Sequence, residues 1–303
     1  MNGPPNDHRP KITGAPLSVD VVDVHAHLGP YSRFFIPDPD AATMIDVMNR
    51  TGTDVAVIAS NLGIQADAHA GNTETLAAVE AHPDRIAAYA VINPWQRPTV
   101  EIDRVVDDPR FVGIKIHPSL HRYPVTGARY AAVWEFADAT GCPVLSHTDA
   151  DSAVDHPGLF ASITARYPSA PIILGHAGIS PAGVDASIAV VADSAHSYLE
   201  ICGSQLTGAL IGHMVRHVGS ERVLFGSDFP FIDQRMSLGR VVHSGLDAAA
   251  QRAILGANSR RLFRWRPLPI PAGAPTPDGA PGRRTTPPRT STQHPAETSE
   301  RTR

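Results

Sequence analysis

Cysteine is nearly missing from this chain: its 303 residues include two, Cys142 and Cys202. They cannot build a disulfide framework and form no C-x-x-C pair, which excludes a stapled secreted fold and a dithiol redox motif. Buried thiols are expected instead. Charge imbalance is small too, −4 at neutral pH, so electrostatics gives no reason to expect nucleic acid or an acidic membrane as a partner. No apolar run approaches the roughly 20 residues that span a bilayer. The opening stretch, MNGPPNDHRPKITGAPLSVD, lacks the apolar centre of a secretory signal, and a cytoplasmic protein is expected. A glycine-rich phosphate loop is absent as well, since no G-x-G-x-x-G follows the first apolar run. That disfavours a doubly wound dinucleotide-binding sheet.

Large apolar residues are scarce in the last segment, 266–303, which carries nine prolines and no periodicity. Such a composition cannot bury enough surface to offset its ordering entropy, so a disordered tail is expected there. Residues 1–18 read as a shorter flexible segment of the same kind. Between the tails, at 19–265, short β-branched runs alternate with longer alanine-rich stretches. The predicted strands cover 21–27, 54–60, 86–93, 111–117, 143–148, 171–177, 197–203 and 222–228. Helices are predicted near 40–50, 73–82, 99–107, 128–140, 157–167, 181–193, 207–218 and 237–256. Asp40 opens the first helix, and Gly52 and Gly141 close two of them. Apolar strands joined by crossover helices imply parallel pairing. Eight such units in about 250 residues match a single-domain (β/α)8 TIM barrel.

Histidine, by contrast, is plentiful, with fifteen in the chain. In VVDVHAHLGP (21–30), His25 and His27 sit two apart at a strand end and therefore face one side. That suits a pair of metal ligands and equally suits two polar residues at a strand end. Other predicted strands end alike, with Lys115 and His117, His147, His176, Glu200, and Asp228. A barrel works at the C-terminal rim of its strands. Imidazoles and a carboxylate converging there suit Zn²⁺ or another borderline divalent ion. Glu200 could support that site or simply pack the barrel. Loop residues Arg33, Trp95, His121, Arg122 and Tyr123 could set specificity, an arginine among aromatics suiting a carboxylate on a planar substrate.

These motifs occur in a telling order: DVHAHLG (23–29), GIKIHP (113–118), VLSHTD (144–149), LGHAG (174–178), RVLFGSDFP (222–230) and GANSRRLF (256–263). With them the chain resembles the amidohydrolase superfamily, specifically amidohydrolase family 2. The resemblance implies His25, His27, His147 and Asp228 as ligands of one ion, Zn²⁺ or another divalent metal such as Mn²⁺. It implies His176 beside the metal as an acid/base or carbonyl-polarising group and Asp228 as general base. Lys115 is carboxylated and bridges two metals in binuclear relatives; a structural or substrate-anion-binding Lys115 is favoured here. His117 is a substrate-binding candidate, as are Arg33, Arg122 and Tyr123.

The expected activity is metal-dependent hydrolysis of a small ester, lactone or amide. A metal-dependent, non-oxidative decarboxylase of an aromatic or enoic acid is the alternative, and some lactonases of this branch work without metal. A non-catalytic barrel that binds a ligand is the competing class. It is disfavoured because every expected ligand position is filled. A small-molecule substrate is the expected partner, with neither nucleic acid nor membrane, and the resemblance leaves a homodimer open.

Overall fold

A computed structural model describes residues 19–272. The N-terminal segment 1–18 and residues 273–303 of the expected tail lie outside the described residues. Eight strands form one sheet in sequence order: β1 (Val22–Leu28), β2 (Val55–Ser60), β3 (Ile86–Val91), β4 (Phe111–Ile116), β5 (Val144–His147), β6 (Ile172–Gly175), β7 (Ser197–Glu200) and β8 (Val223–Leu224). Every neighbouring pair is parallel. The ring is completed by backbone bonds between β1 and the chain after β8: Val24 N–H donates to Phe225 O at 3.0 Å and Asp228 N–H to His25 O at 2.8 Å. The fold is the expected TIM barrel.

Two apolar layers hold it. Side chains on the outer face of the strands, including Ala26, Ile58, Ile114 and Ile172, pack with Met44, Met48, Val105 and Val133 of the surrounding helices. Inward-facing Val22, Val24, Val57, Tyr89, Leu145 and Ile173 fill the barrel below its C-terminal rim. Such alternation is what parallel strands buried on both faces require. In β1 it is interrupted, because the pairing with β2 shifts register between Asp23 and Ala26. The offset leaves Val24 in the interior and still turns His25 and His27 inward, while Ala26 packs outward.

Most helices follow the expected pattern. The helix α1 (Ala41–Thr51) starts at Asp40, whose carboxylate accepts from Thr43 N–H, and ends at Gly52 with φ of 77°. Gly141, with φ of 76°, closes the helix at Ala131–Thr140 in the same left-handed way, a conformation glycine adopts without strain. The single helix expected over 237–256 is instead broken into Gln234–Val242, Ala248–Arg252 and a continuation to Leu262. Gly245 turns the chain there with φ of 76°, and Asp247 caps a new start by accepting from Ala250 N–H.

Just past the expected boundary at 265 the chain is still fastened to the barrel. The Arg266 guanidinium donates to the carbonyls of Val105, Val106, Asp108 and Phe111, and Leu268 is buried with the interior cluster. A guanidinium satisfied by four carbonyls anchors chain whose composition alone argues for disorder.

Under the rim, the Tyr89 ring lies over Gly113: a Cβ added there would stand 2.8 Å from Tyr89 Cε1 and 2.8 Å from Pro143 O. Gly113→Ala is expected to destabilise the barrel by about 1–3 kcal/mol through this overpacking. Chemical denaturation would measure the loss; an unchanged midpoint would contradict the crowding.

Candidate metal centre and active site

The strand ends deliver a cavity of about 330 Å³ lined by His25, His27, Asn61, Lys115, His117, His147, His176 and Asp228. Above them Tyr31, Phe34, Leu120, Ile179, Phe231 and Ile232 form an apolar mouth. The Phe231 ring stacks on His27 at 5.2 Å and touches Tyr31 at 4.8 Å. Polar groups thus lie at the bottom and an apolar, half-aromatic wall at the entrance, the usual division of labour in a small-molecule site.

Each imidazole has two nitrogens, and what Nδ1 touches decides what Nε2 can offer. His27 Nδ1 lies 3.1 Å from the Ala59 carbonyl, which can only accept, so Nδ1 carries the proton and Nε2 a lone pair. His25 Nδ1 donates to the Glu200 carboxylate at 2.8 Å, leaving its Nε2 a lone pair as well. His147 Nδ1 donates to Asp155 at 2.9 Å, and Asp155 is itself held by Ser119, whose Oγ donates at 2.7 Å and backbone N–H at 3.1 Å. His117 has the opposite tautomer: its Nδ1 accepts from Leu120 N–H at 3.3 Å, capping the short helix Pro118–His121. His117 Nε2–H is therefore a donor, and its ring stacks on His147 at 4.0 Å.

Three groups converge with lone pairs and no proton between them. Asp228 Oδ1 lies 3.3 Å from His27 Nε2 and 3.7 Å from His25 Nε2. Burial alone would push the Asp228 carboxyl up, but His176, His27 and Lys115 outweigh it and hold the group below its usual range. A carboxylate facing two bare imidazole nitrogens is repulsive unless a cation lies among them, so the donor set fits a divalent metal. His25, His27 and Asp228 are the residues that could hold it. Lys115 Nζ, 2.6 Å from His25 Nε2, competes for one of those lone pairs. Burial pulls the Lys115 ammonium down to about 8, with Asp228 opposing the shift.

His147 does not join that trio; it groups with His117 and Asp155, and touches His176 edge-on at 4.9 Å. His176 and Asp228 share an uncommon backbone, with φ of 63° and 61°. Left-handed geometry in residues other than glycine costs on the order of 1–2 kcal/mol and tends to mark functional positions. Both side chains line the cavity.

Lys115 and His117 line the cavity as expected, whereas Arg33, Arg122 and Tyr123 do not. Arg33 is exposed on a turn whose neighbours Tyr31 and Phe34 border the cavity mouth. Arg122 terminates a helix with φ of 51° and points to solvent. Tyr123 packs against Tyr130 and Trp95, and its hydroxyl accepts from Arg129 N–H. Trp95 and His121 lie outside the lining too: the indole donates to the His121 carbonyl, and His121 Nδ1 meets the Tyr130 hydroxyl at 2.7 Å. Sequence reasoning missed Asp155, Phe231 and the contacts of Cys202. Only Phe231 carried a signal, being adjacent to the SDFP motif.

Burial also keeps the histidines neutral. Those of His25, His27 and His117 fall below the ordinary value, His121 falls to about 4 and His176 to about 3, each mainly through desolvation. The unfolded chain therefore binds more protons between pH 6.5 and about 3, and stability falls as pH is lowered through that window. In chelator-treated protein the unfolding free energy is expected to drop by at least about 2 kcal/mol from pH 7 to pH 5. A flat profile from denaturant titrations would contradict neutral burial.

Several solved structures share this architecture. One is 2,6-dihydroxybenzoate decarboxylase from Rhizobium, with 17% identity over 81% of this chain and 98% of that one and a TM-score of 0.64. A second is 5-carboxyvanillate decarboxylase from Sphingomonas paucimobilis, with 15% identity, 81% and 99% coverage and a TM-score of 0.64. A third is a probable 2-pyrone-4,6-dicarboxylic acid hydrolase from Acinetobacter baumannii, with 15% identity, 80% and 99% coverage and a TM-score of 0.62. At such identities the likeness is one of fold. No curated protein matches the sequence. The model of the amidohydrolase family, however, matches residues 22–265, the span that carries every strand and every polar residue of the cavity. The chain belongs to the amidohydrolase family of enzymes.

Proposed function

We propose that this enzyme is a metal-dependent hydrolase of a small, planar, uncharged ester, lactone or amide. The observation that carries the reading is the ionised Asp228 carboxylate beside the His25 and His27 lone pairs, at the base of an aromatic-walled cavity. One cation held by His25, His27 and Asp228 would supply Lewis acidity toward water or a substrate oxygen. Zn²⁺ or Mn²⁺ suits two imidazoles and a carboxylate. A second ion at His117, His147 and Asp155 is disfavoured, because His147 Nδ1 is spent on Asp155 and that carboxylate on Ser119.

Asp228 accepts the proton of the attacking water and returns it to the leaving group. His176, neutral at physiological pH, donates to the substrate oxygen as negative charge develops there. His117 Nε2–H provides a second donor from the stacked pair. The aromatic mouth grips a flat substrate face and excludes water.

Neutral substrates are favoured because Lys115 is the sole lysine or arginine among the described residues lining the cavity, and it is already engaged by His25. A decarboxylase of an aromatic acid is the second reading. Its support is the Tyr31–Phe34–Phe231 wall, which suits an aromatic ring, together with Lys115 as partner for a carboxylate.

A panel of lactones, aryl esters and aromatic acids, followed by proton release and CO₂ release, separates the two. Ester or lactone turnover is expected; CO₂ from an acid without it would favour the decarboxylase. Asp228→Asn is expected to lower turnover by roughly 10²–10⁴-fold while the protein stays folded. Wild-type rates from that variant would remove Asp228 as the base. Titration of chelator-treated protein with Zn²⁺ or Mn²⁺ is expected to raise its melting temperature. His27→Ala should weaken that response by at least about tenfold in cation concentration, and Arg122→Ala should leave it alone. Equal responses in all three would displace the metal from this trio.

A further inference from the structure

The loop after β6 holds a strained turn that the chemistry proposed above does not call upon. His176, Ala177, Gly178 and Ile179 all have positive φ, of 63°, 44°, 77° and 66°. At Ile179 the combination of φ 66° with ψ −55° is the strained form of γ-turn. Ser180 N–H closes it by donating to Gly178 O at 2.8 Å. A β-branched residue is rarely found in that region, because its Cβ crowds the backbone. Glycine would make the same turn without the crowding.

The turn is clamped on both sides. Thr148 Oγ1 accepts from Gly178 N–H at 2.9 Å and donates to Gly175 O at 2.7 Å. Gly178 O also accepts from Ala150 N–H at 3.2 Å. Behind it, a Cβ on Gly178 would stand 2.6 Å from the Cα of Gly183, in the helix Pro181–Ala192. Surroundings that fix a turn so fully can hold a strained residue in it. Packing is a weak reason for that residue to be isoleucine, since Ile179 is only half-buried. Its side chain instead lines the cavity.

The position gives that side chain a task. Ile179 N–H donates to His176 O at 2.9 Å, so the two residues end one turn, and both line the cavity. In the hydrolase reading His176 donates to the substrate carbonyl oxygen. A branched side chain three residues further on therefore borders the atoms attached to that carbonyl carbon.

We propose that Ile179 is a specificity-determining residue, a fixed stop that admits acyl groups unbranched beside the carbonyl and excludes branched ones. The proposal rests on the hydrolase reading for the identity of that carbonyl. A turn clamped by Thr148 and the Pro181–Ala192 helix keeps the side chain from swinging aside, which is what lets one residue discriminate by shape.

Two measurements on the full-length protein test it. Ile179→Gly is expected to unfold at higher denaturant than Ile179→Ala, the reverse of the order at an unstrained position. With phenyl acetate and phenyl pivalate as substrates, Ile179→Gly should raise kcat/KM for the pivalate relative to the acetate by at least about tenfold over wild type. Intrinsic reactivity of the esters cancels in that comparison. A glycine variant that unfolds before the alanine variant, or an unchanged ester ratio, would overturn the assignment. Failure of the hydrolase reading would appear separately, as cleavage of neither ester by wild type or variant. Binding of the same pair, followed by melting temperature, then reads the stop: the pivalate should act on Ile179→Gly at a concentration at least about tenfold lower than on wild type. Equal concentrations, or binding of neither ester, would remove the stop.

Discussion

Everything at the rim depends on how the first strand is joined to the last. The Asp23 carboxylate is the clasp: it accepts from Ser227 N–H at 3.0 Å, from the Ser227 hydroxyl, from Gln234 at 2.9 Å and from His25 N–H at 3.1 Å. Even with four donors, burial raises its carboxyl to about 6. β8 contributes two paired residues and then leaves the sheet, so this side-chain lock and a few backbone bonds close the barrel. Closure brings His25 and His27 within reach of Asp228, from opposite ends of the chain. A clasp that bonds both to the His25 backbone and to the residue before Asp228 ties fold and site together.

The cavity is best understood as one electrostatic unit. Five imidazoles, a lysine and a carboxylate share a small volume, and water is too scarce to solvate several positive charges. Desolvation therefore keeps His25, His27, His117 and His176 neutral, and neutral rings must be sorted into donors and acceptors. The sorting is done from behind, by Ala59, Glu200, Asp155 and Leu120. These partners lie on different strands and loops, and the rings they orient face one cavity. Such support from outside the first layer of contacts is what gives ligands a definite direction.

Much of the site was legible because it lies on strands. The period of two placed His25 and His27 on one side, and the position at a strand end placed His147, His176 and Glu200 on one rim. Loop residues were another matter. Arg33 looked suited to a substrate, yet the turn that carries it exposes Arg33 and sets Tyr31 and Phe34 at the cavity mouth. Nothing in local patterning distinguishes these two outcomes, because a turn's facing is set by what it packs upon. Phe231 and Asp155 went unnoticed for the same reason.

By itself the sequence determined the eight-unit alternation, the barrel class and the set of polar strand ends, since periodicity and strand termination are local properties of the chain. Tertiary structure alone decided that His147 pairs with His117 and Asp155 rather than standing in the His25–His27–Asp228 trio. It also decided which nitrogen of each ring is free, and that Cys202, one of only two cysteines, lies between His25 and His176. Hydrogen bonds between residues more than a hundred positions apart carry no trace in local pattern. They follow from the closed barrel, which makes neighbours of strand ends that the chain keeps distant.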